Sequence, residues 1–253
     1  MLNSIFKLKD KIVLITGGMG IQGPEHAKAF KEVGAKVVVT DIKSGDFKMD
    51  VTNEDEIKKT TREIVEKYKR IDVLVNNAGA TGKQVSKAAV PIEDQKLKDW
   101  EYILKVNLTG TWLCSQIVGK IMAKQSKGSI INIASIYGLA GPDFSIYKQA
   151  EYASKKMGLP AAYAASKGGV ISLTRYLASY WADKNVRVNC VTPGGIFDNQ
   201  SENFVKAYSK NVPMGRMAEK NEISGTLLYL ASDLSSYVTG ANIVVDGGLT
   251  SKT

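Results

Sequence analysis

The sequence predicts an α/β fold in which helices cover both faces of a doubly wound parallel sheet of about seven strands. Short, nearly all-apolar runs, as at 11–16 and 71–76, are typical of strands buried on both faces. Longer stretches between such runs have helical periodicity, and one of them carries an apolar stripe of Ile57, Ile64 and Val65. Because strands and helices alternate, we expect a Rossmann-type, three-layer αβα sandwich.

Length and composition indicate one globular domain. The chain has 253 residues, of which 44% are hydrophobic and 23% charged, so we expect a single domain over residues 1–253. No apolar run is long enough to cross a bilayer, and residues 1–11 lack the apolar core of a signal peptide. Cys114 and Cys190 do not make a disulfide framework. We therefore expect a cytoplasmic protein with two buried cysteines and no membrane partner.

The formal net charge of +9 is compatible with a nucleic-acid partner, an anionic ligand or a lysine-rich surface. The lysines are scattered along the chain and form no basic tail. We therefore favour the surface interpretation and expect no nucleic-acid partner, although a phosphate-bearing ligand would benefit from the positive field.

A glycine-rich turn joins the first predicted strand to a helix predicted at 24–33. Gly17, Gly20 and Gly23 lie in this turn. Glycine permits positive φ and lets backbone N–H groups approach a phosphate, and a helix N-terminus favours an anion. A glycine turn between a strand and a helix therefore predicts a site for the pyrophosphate of a dinucleotide.

Asp41 ends the second predicted strand, at 35–41. A carboxylate at this place can accept hydrogen bonds from the adenosine ribose hydroxyls and repels a 2′-phosphate. No arginine adjoins it, although Lys43 is close. We therefore expect NAD rather than NADP; the alternative is an aspartate that merely opens a turn.

Tyr163 and Lys167 lie one turn apart on a helix predicted to run to about residue 184, so both side chains share one face. A tyrosine normally holds its proton too tightly for acid–base work near neutral pH, and a fixed ammonium nearby is expected to lower the pKa of the phenol. Ser135 ends a predicted strand, at the sheet edge where ligands bind in open α/β folds. With no histidine at this site, a serine-hydrolase interpretation is weak.

A second pair, Tyr152 and Lys156, has the same spacing as Tyr163 and Lys167. Gly158 and Pro160 would end a helix there within a turn, so we exclude this pair as the catalytic one.

The order of these motifs resembles the short-chain dehydrogenase/reductase family over about residues 8–248. The elements that carry the resemblance are the glycine turn, Asn76-Asn77-Ala78-Gly79, Asn107, Ser135 and Tyr163-x-x-x-Lys167. The resemblance implies an NAD-dependent oxidoreductase acting on a CH–OH group, with a small-molecule substrate and no metal. It further implies that Tyr163 is the general acid/base, Lys167 lowers its pKa and binds the nicotinamide ribose, Ser135 orients the substrate oxygen, and Asn107 holds a water that links Lys167 to solvent.

The same resemblance implies a set of cofactor contacts along the chain. These are Gly17, Gly20, Ile21, Gly23, Asp41, Asp50, Val51, Asn77, Ala78, Gly79, Tyr163, Lys167, Pro193, Gly194 and Ile196. Two positions depart from the family's common pattern: Ile21 replaces the middle glycine of the turn, and Asp198 stands where a threonine is frequent. The observed glycine spacing is similar to that of the nucleotide-sugar-modifying branch.

Residues 142–160 are expected to be an insertion over the active site, with Phe144, Tyr147 and Tyr152 as candidate pocket residues. Residues 197–217 are expected to be a mobile substrate loop. Val238-Thr239-Gly240 and Asp246-Gly247-Gly248 resemble a C-terminal signature that usually lies in a tetramer interface. The resemblance therefore implies a homo-oligomer, a dimer or tetramer.

Three functions stay open. The leading one is hydride transfer between NAD and a secondary alcohol or ketone, on a sugar or sugar phosphate, because the sequence is similar to members acting in bacterial surface-sugar and flagellin-glycan pathways. The second is a nucleotide-sugar epimerase or dehydratase with tightly held NAD. The third is a non-catalytic binding module with the same fold.

Three local features complete the expectations. A capping box of Thr52 and Asp55 would open the helix that ends near residue 70. Trp100 would be one of the core residues of a long helix at 99–125, which the amide of Asn107 would make irregular. His26 has no carboxylate or cysteine partner near it in the sequence, and we interpret it as a surface residue.

Overall fold

A computed structural model gives the fold and describes residues 5–80, 85, 88–147, 151–152, 155–156 and 158–251, with the backbone alone at 151–152 and 155–156. Seven parallel strands form one sheet in the order β3-β2-β1-β4-β5-β8-β9. They are β1 (Ile12–Thr16), β2 (Lys36–Asp41), β3 (Phe47–Lys48), β4 (Val73–Asn76), β5 (Gly128–Ile133), β8 (Val186–Pro193) and β9 (Asn242–Val245). The fold predicted from the sequence is confirmed.

Helices cover both faces of the sheet. They are α1 (Gly23–Glu32), α2 (Glu54–Tyr68), α3 (Leu97–Leu104), α4 (Gly110–Lys124), α5 (Ala161–Trp181), α6 (Glu202–Asn211) and α7 (Ser224–Ala231). One apolar core joins the sheet to α2, α4 and α5, and a second joins it to α1 and α7. Side chains alternate between the cores along β1, where Leu14 belongs to the first and Val13 and Ile15 to the second. Burial on both faces is the physical reason for the apolar runs in the sequence.

The order of the strands places a cleft at one edge of the sheet. The chain passes from β1 outward to β2 and β3, then returns to add β4 on the other side of β1. Helices α1 and α2, which follow β1 and β3, therefore lie on opposite faces of the sheet. A crevice opens where the strand order reverses, at the carboxyl ends of β1 and β4.

Asn107 lies in a π-helical segment, Lys105–Thr109, that joins α3 to α4. The hydroxyl of Thr111 donates to the carbonyl oxygen of Asn107 at 2.7 Å. The sequence predicted an irregular helix at this amide, and π segments of this kind are frequent at functional sites.

Two local expectations are wrong. Asn53, not Thr52, caps α2, because its side chain accepts the N–H groups of Asp55 and Glu56 while Glu56 accepts from Asn53 in return. Trp100 is 39% exposed and belongs to no core cluster of the described residues. Residues 197–217 contain helix α6, and their role as a mobile substrate loop stays a prediction.

His26 is fully buried, which contradicts its interpretation as a surface residue. Its Nδ1 lies 2.9 Å from the hydroxyl of Ser224, so the ring connects α1 to α7. Burial lowers the pKa of His26 to about 4. The histidine therefore belongs to the packing of the second core.

We expect the His26→Gln variant to lose less stability than the wild type when the pH is lowered into the mildly acidic range. Between pH 6.5 and about 4 the unfolded chain binds a proton at His26 and the folded chain does not, so stability falls as pH is lowered through this window. The loss is on the order of 3 kcal/mol. Urea unfolding at several pH values measures it, and the slope of unfolding free energy against pH should be shallower in His26→Gln. Equal slopes would contradict this assignment.

Among the described residues, no helix has both the length and the apolar character needed to cross a bilayer.

Candidate active site

A cleft of about 440 Å³ lies at the carboxyl ends of β1, β2, β4, β5 and β8. This volume is in the usual range for small-molecule sites. The cleft brings together residues from most of the chain. Those that the sequence predicted for the site and that line it are Gly17, Gly20, Ile21, Asp41, Asp50, Val51, Asn77, Ala78, Gly79, Ser135, Tyr163, Lys167, Pro193, Gly194 and Ile196.

Two of the predicted residues, Gly23 and Asn107, do not line the cleft. A Cβ on Gly23 would lie 2.4 Å from the Cα of Gly18, so this glycine lets α1 start tightly against the turn. Gly23 therefore allows the backbone of the helix start to pack against the loop, because no side chain fits between them.

The glycine turn fits a bound phosphate. Gly17 has φ +62°, and a Cβ there would lie 2.5 Å from the Cα of Ala78, so only glycine suits this position. The side-chain amide nitrogen of Gln22, Nε2, is buried and has no hydrogen-bond partner among the described residues. Gln22 and Ile21 both line the cleft, which stays open beside the isoleucine. The turn thus offers an unused donor at the N-terminus of α1, where an anion is favoured.

Asp41 lies at the end of β2 with its carboxylate at the cleft. One of its oxygens accepts the N–H of Met19 at 3.1 Å and the other accepts the N–H of Lys43 at 3.0 Å. Each carboxylate oxygen retains a further acceptor position. These two backbone bonds fix the orientation of the carboxylate at the rim, where a ribose would lie.

The end of β4 braces the glycine turn. The side chain of Asn77 donates to the carbonyl oxygens of Thr16 and Gly17, at 3.2 and 2.8 Å. The N–H of Ala78 donates to the hydroxyl of Thr16 at 3.2 Å. The tetrapeptide predicted to lie beside the cofactor therefore holds the turn in place as well as lining the cleft.

Ser135, Tyr163 and Lys167 come together in the cleft. Ser135 and Tyr163 both line the cleft, and the side chain of Ser135 is close enough to favour the ionised form of the Tyr163 phenol and so to oppose a rise of its pKa. The Nζ of Lys167 lies 5.8 Å from the centre of the Tyr163 ring and donates to the carbonyl oxygen of Ile133 at 2.7 Å. Lys167 is 7% exposed, so the ammonium is withdrawn from water beneath the phenol. A phenol, an aliphatic hydroxyl and a buried cation thus share one end of the cleft.

The ionisation of this set differs from the sequence expectation. Burial raises the pKa of Tyr163 above its usual value, and the side chain of Ser135 opposes that rise in part. Burial lowers the pKa of Lys167 to about 8. In this structure the phenol is therefore protonated near neutral pH, because burial outweighs the opposing effect of Ser135 on its pKa.

Asn107 acts behind the cleft. Its side-chain oxygen accepts the N–H of Ala80 at 2.7 Å, and its amide nitrogen donates to the hydroxyl of Ser166 at 3.0 Å. Ser166 precedes Lys167 on α5. The geometry therefore makes Asn107 a positioning residue for the loop after β4 and for α5, and its part in a water relay stays a prediction.

The excluded tyrosine–lysine pair is not helical. Tyr152 lies on β6 (Glu151–Tyr152) and Lys156 on β7 (Lys155–Lys156), two short antiparallel strands. Most of the insertion predicted at 142–160 falls outside the described residues or has only its backbone described. Of its three candidate pocket residues, Tyr147 lines the cleft, whereas Phe144 is mostly exposed.

The loop after β8 closes the cleft on the far side. The carbonyl oxygen of Ile196 accepts from the side chain of Gln200 at 2.9 Å. Asp198, the departure from the family pattern, forms a salt bridge with Lys220 at 2.6 Å. The aspartate therefore has a structural role in this loop.

Sequence reasoning missed an aromatic cluster at this end of the cleft. Tyr137, Phe204 and Tyr208 line the cleft together with Tyr147. The hydroxyls of Tyr137 and Tyr147 lie 2.7 Å apart, and Phe204 and Tyr208 come from α6. The only signal in the sequence was the place of Tyr137, two residues after Ser135, since α6 reaches the cleft through tertiary packing alone.

Comparison with known proteins identifies the family. A family model described as enoyl-(acyl carrier protein) reductase matches residues 19–250. A 3-oxoacyl-acyl-carrier-protein reductase of Thermotoga maritima is 35% identical, over 96% of this chain and 99% of the relative. An NADP-dependent mannitol dehydrogenase of Hypocrea jecorina is 31% identical, over 98% of this chain and 95% of the relative.

A solved structure points to the same family. It is a short chain dehydrogenase from Leptospira borgpetersenii with bound NAD+, and it superposes with a TM-score of 0.85 at 37% identity, covering 96% of this chain and 94% of that one. The chain belongs to the short-chain dehydrogenase/reductase family and is an oxidoreductase of that family.

Proposed function

We propose that this enzyme transfers a hydride between NAD(H) and a secondary alcohol or ketone. The observation that carries the proposal is that Ser135, Tyr163 and the buried ammonium of Lys167 line the same cleft as the glycine turn, with the ammonium 5.8 Å from the centre of the Tyr163 ring. A general acid/base, an oxygen-binding hydroxyl and a dinucleotide site are the groups that this reaction needs.

The residues present fit a nicotinamide dinucleotide. The glycine turn and Gln22 would hold the pyrophosphate, Asp41 the adenosine ribose, and Lys167 the nicotinamide ribose. When bound, this cofactor supplies the hydride acceptor or donor. During ketone reduction, Ser135 holds the substrate oxygen, the protonated phenol of Tyr163 donates its proton to that oxygen, and the Lys167 ammonium stabilises the phenolate that remains. Alcohol oxidation runs in the opposite direction and starts from the phenolate, which forms when the phenol proton has been released to solvent.

Incubation with NAD and a panel of sugar alcohols, keto sugars and sugar phosphates tests this function. NADH absorbance should rise with at least one alcohol, and NADH should be consumed with the matching ketone. A nucleotide-sugar epimerase or dehydratase returns its hydride to the sugar, so conversion of a nucleotide sugar without net NADH would favour that alternative. Failure to bind NAD would favour the non-catalytic module.

The carboxylate of Asp41 supports NAD over NADP. It faces the cleft with acceptor positions free for ribose hydroxyls, and its charge repels a 2′-phosphate. The relative from Hypocrea jecorina is named as NADP-dependent, so family membership alone does not decide the cofactor.

We expect Asp41→Ala combined with Ile42→Arg to reverse the cofactor preference. Ile42 is more than half exposed beside Asp41, so an arginine there can pair with the 2′-phosphate without disturbing the core. The ratio of kcat/KM for NADP to that for NAD should rise about a hundredfold, from loss of repulsion and gain of an ion pair. Ile42→Arg alone is the matched control. An unchanged ratio in the double variant would remove Asp41 from this role.

We propose a carbohydrate substrate, either a sugar or a sugar phosphate, as in the surface-sugar and flagellin-glycan members that the sequence resembles. The relative named as a mannitol dehydrogenase supports a polyol substrate. The relative named as a 3-oxoacyl-acyl-carrier-protein reductase supports a 3-oxoacyl thioester as the substrate instead. The substrate panel above distinguishes them once 3-oxoacyl thioesters are added to it.

We propose that the protein works as a homo-oligomer in the cytoplasm. Trp112 on α4 and Tyr176 and Tyr180 on α5 are large aromatic residues that are exposed in the single chain. Exposed aromatic residues of this kind are enriched at protein interfaces. Light scattering that gives the mass of one chain would contradict the oligomer. The two cysteines are free and buried, as we expect for a reducing compartment.

A further inference from the structure

A pair of tyrosine hydroxyls lies beside the catalytic residues. Tyr137 follows Ser135 by two residues, and its N–H donates to the hydroxyl of Ser135 at 3.3 Å. Tyr147 lies at the end of a short 3₁₀ helix, Phe144–Tyr147. The two hydroxyl oxygens are 2.7 Å apart, and both residues line the cleft that holds Tyr163. No step of the mechanism above uses this pair.

The pair has hydrogen-bonding capacity left over. Two hydroxyls bring two protons, and their mutual bond uses only one, so one proton can be donated to a ligand. Burial raises the pKa of Tyr147 to about 12 and that of Tyr137 still further, so both hydroxyls remain protonated in the physiological range. Tyr208 differs, because its hydroxyl accepts the N–H of Gly195 at 2.5 Å and so attaches α6 to the loop after β8.

Asp143 is the charged residue that acts on both hydroxyls of the pair, and its negative charge helps to keep them protonated. Among the described residues that line this end of the cleft, Lys167 alone carries a charge, and its ammonium is already bonded to the carbonyl oxygen of Ile133. Several other side chains around the pair are aromatic or aliphatic, as with Phe204, Leu159 and Met217. A carboxylate or phosphate next to the reacting carbon would find no free cation among these described residues and would be repelled by Asp143, which is costly, whereas a hydroxyl would find the free phenol.

We propose that Tyr137 and Tyr147 form a subsite for a second substrate hydroxyl, next to the carbinol that Ser135 and Tyr163 hold, and that the preferred substrate is therefore a neutral vicinal diol of the polyol or sugar class. This proposal rests on the proposed function and narrows it. It favours an uncharged sugar or polyol over a substrate with a phosphate beside the reacting carbon.

A purely structural role for the pair predicts a different result. The bond between the hydroxyls also connects the turn after β5 to the 3₁₀ helix, so its loss could loosen the site for every substrate. Loosening lowers kcat/KM for all alcohols together, whereas loss of a specific subsite lowers it for diols in particular. The ratio of two matched substrates separates these effects.

The test compares 2,3-butanediol with 2-butanol, which differ by one hydroxyl. The wild-type enzyme with NAD should favour the diol about tenfold in kcat/KM, and Tyr137→Phe or Tyr147→Phe should each lower that preference about tenfold. Tyr237→Phe removes the same hydroxyl from a fully exposed position and is the matched control. A preference that survives both variants, or no preference in the wild type, would overturn the proposal.

A binding measurement keeps this test separate from the proposed function. If the wild type oxidises neither alcohol, the proposed oxidoreductase activity fails for this class, and the subsite is then judged by calorimetry. 2,3-Butanediol is titrated into Tyr163→Phe enzyme saturated with NAD, with and without Tyr137→Phe. An approximately tenfold weaker diol affinity in the second protein supports the subsite, and equal affinity or no binding in both refutes it.

Discussion

Tyr163→Phe is expected to lower kcat about a thousandfold while NAD binding stays within about twofold of the wild type. The substitution keeps the ring, which packs against the cluster of Ala80, Ala88 and Ile103, and removes only the hydroxyl. Proton transfer by a positioned side chain contributes about 10²–10⁴ in rate, so the loss of this hydroxyl should appear mainly in kcat. Steady-state kinetics gives kcat, and calorimetric titration with NAD gives the affinity.

Tyr152→Phe is the matched control for this experiment. It makes the same chemical change in the other tyrosine–lysine pair, which lies on strands β6 and β7 rather than on a helix. Turnover should survive in Tyr152→Phe. Normal turnover in Tyr163→Phe together with lost turnover in Tyr152→Phe would show that the wrong pair has been assigned.

Lys167→Met is expected to lower kcat about a hundredfold and to abolish a gain of stability at alkaline pH. The ammonium stabilises charge on the phenol during proton transfer, and removing one such electrostatic group costs about 10²–10³ in kcat. Burial holds the folded pKa of Lys167 at about 8, below the unfolded value of 10.5. Between these values the unfolded chain binds the extra proton, so stability rises with pH.

Urea unfolding between pH 7 and 10.5 measures this gain, which is on the order of 3 kcal/mol for Lys167. The wild type should gain more stability over the window than Lys167→Met does. Lys120→Met, which removes an exposed lysine from α4, should behave as the wild type. Parallel curves of unfolding free energy against pH for the wild type and Lys167→Met would show that burial does not lower the pKa of Lys167.

The fold and the meeting of the candidate catalytic residues in one cleft were predictable because the sequence encodes them locally. Strands buried on both faces must be apolar, and parallel strands bring their carboxyl ends to one edge, so Ser135 was expected beside the glycine turn. Tyr163 and Lys167 lie on one helix, where spacing fixes their neighbourhood. The amide of Asn107 disfavours a regular helix, and the structure has a π segment there.

The features that escaped prediction depend on contacts distant in sequence. His26 is buried because Ser224, from the far end of the chain, packs against it. The subsite of Tyr137 and Tyr147 forms only when two turns of the chain meet, and α6 joins them through Phe204. The high pKa of Tyr163 likewise reflects burial by the whole fold, which a one-turn spacing to Lys167 does not reveal. Sequence spacing thus locates the candidate catalytic pair but not the pocket around it.

We expect Ser135 and Tyr163 together to hold the reacting oxygen beside a nicotinamide in this cleft. A crystal structure of Tyr163→Phe or wild-type enzyme with NAD and 2,3-butanediol tests this expectation through the distances from the substrate oxygen. In the wild type, one diol oxygen should lie about 3 Å from both the Tyr163 hydroxyl and the Ser135 hydroxyl, with the adenosine ribose on Asp41. A diol bound away from Tyr163, or a cofactor outside the glycine turn, would contradict it.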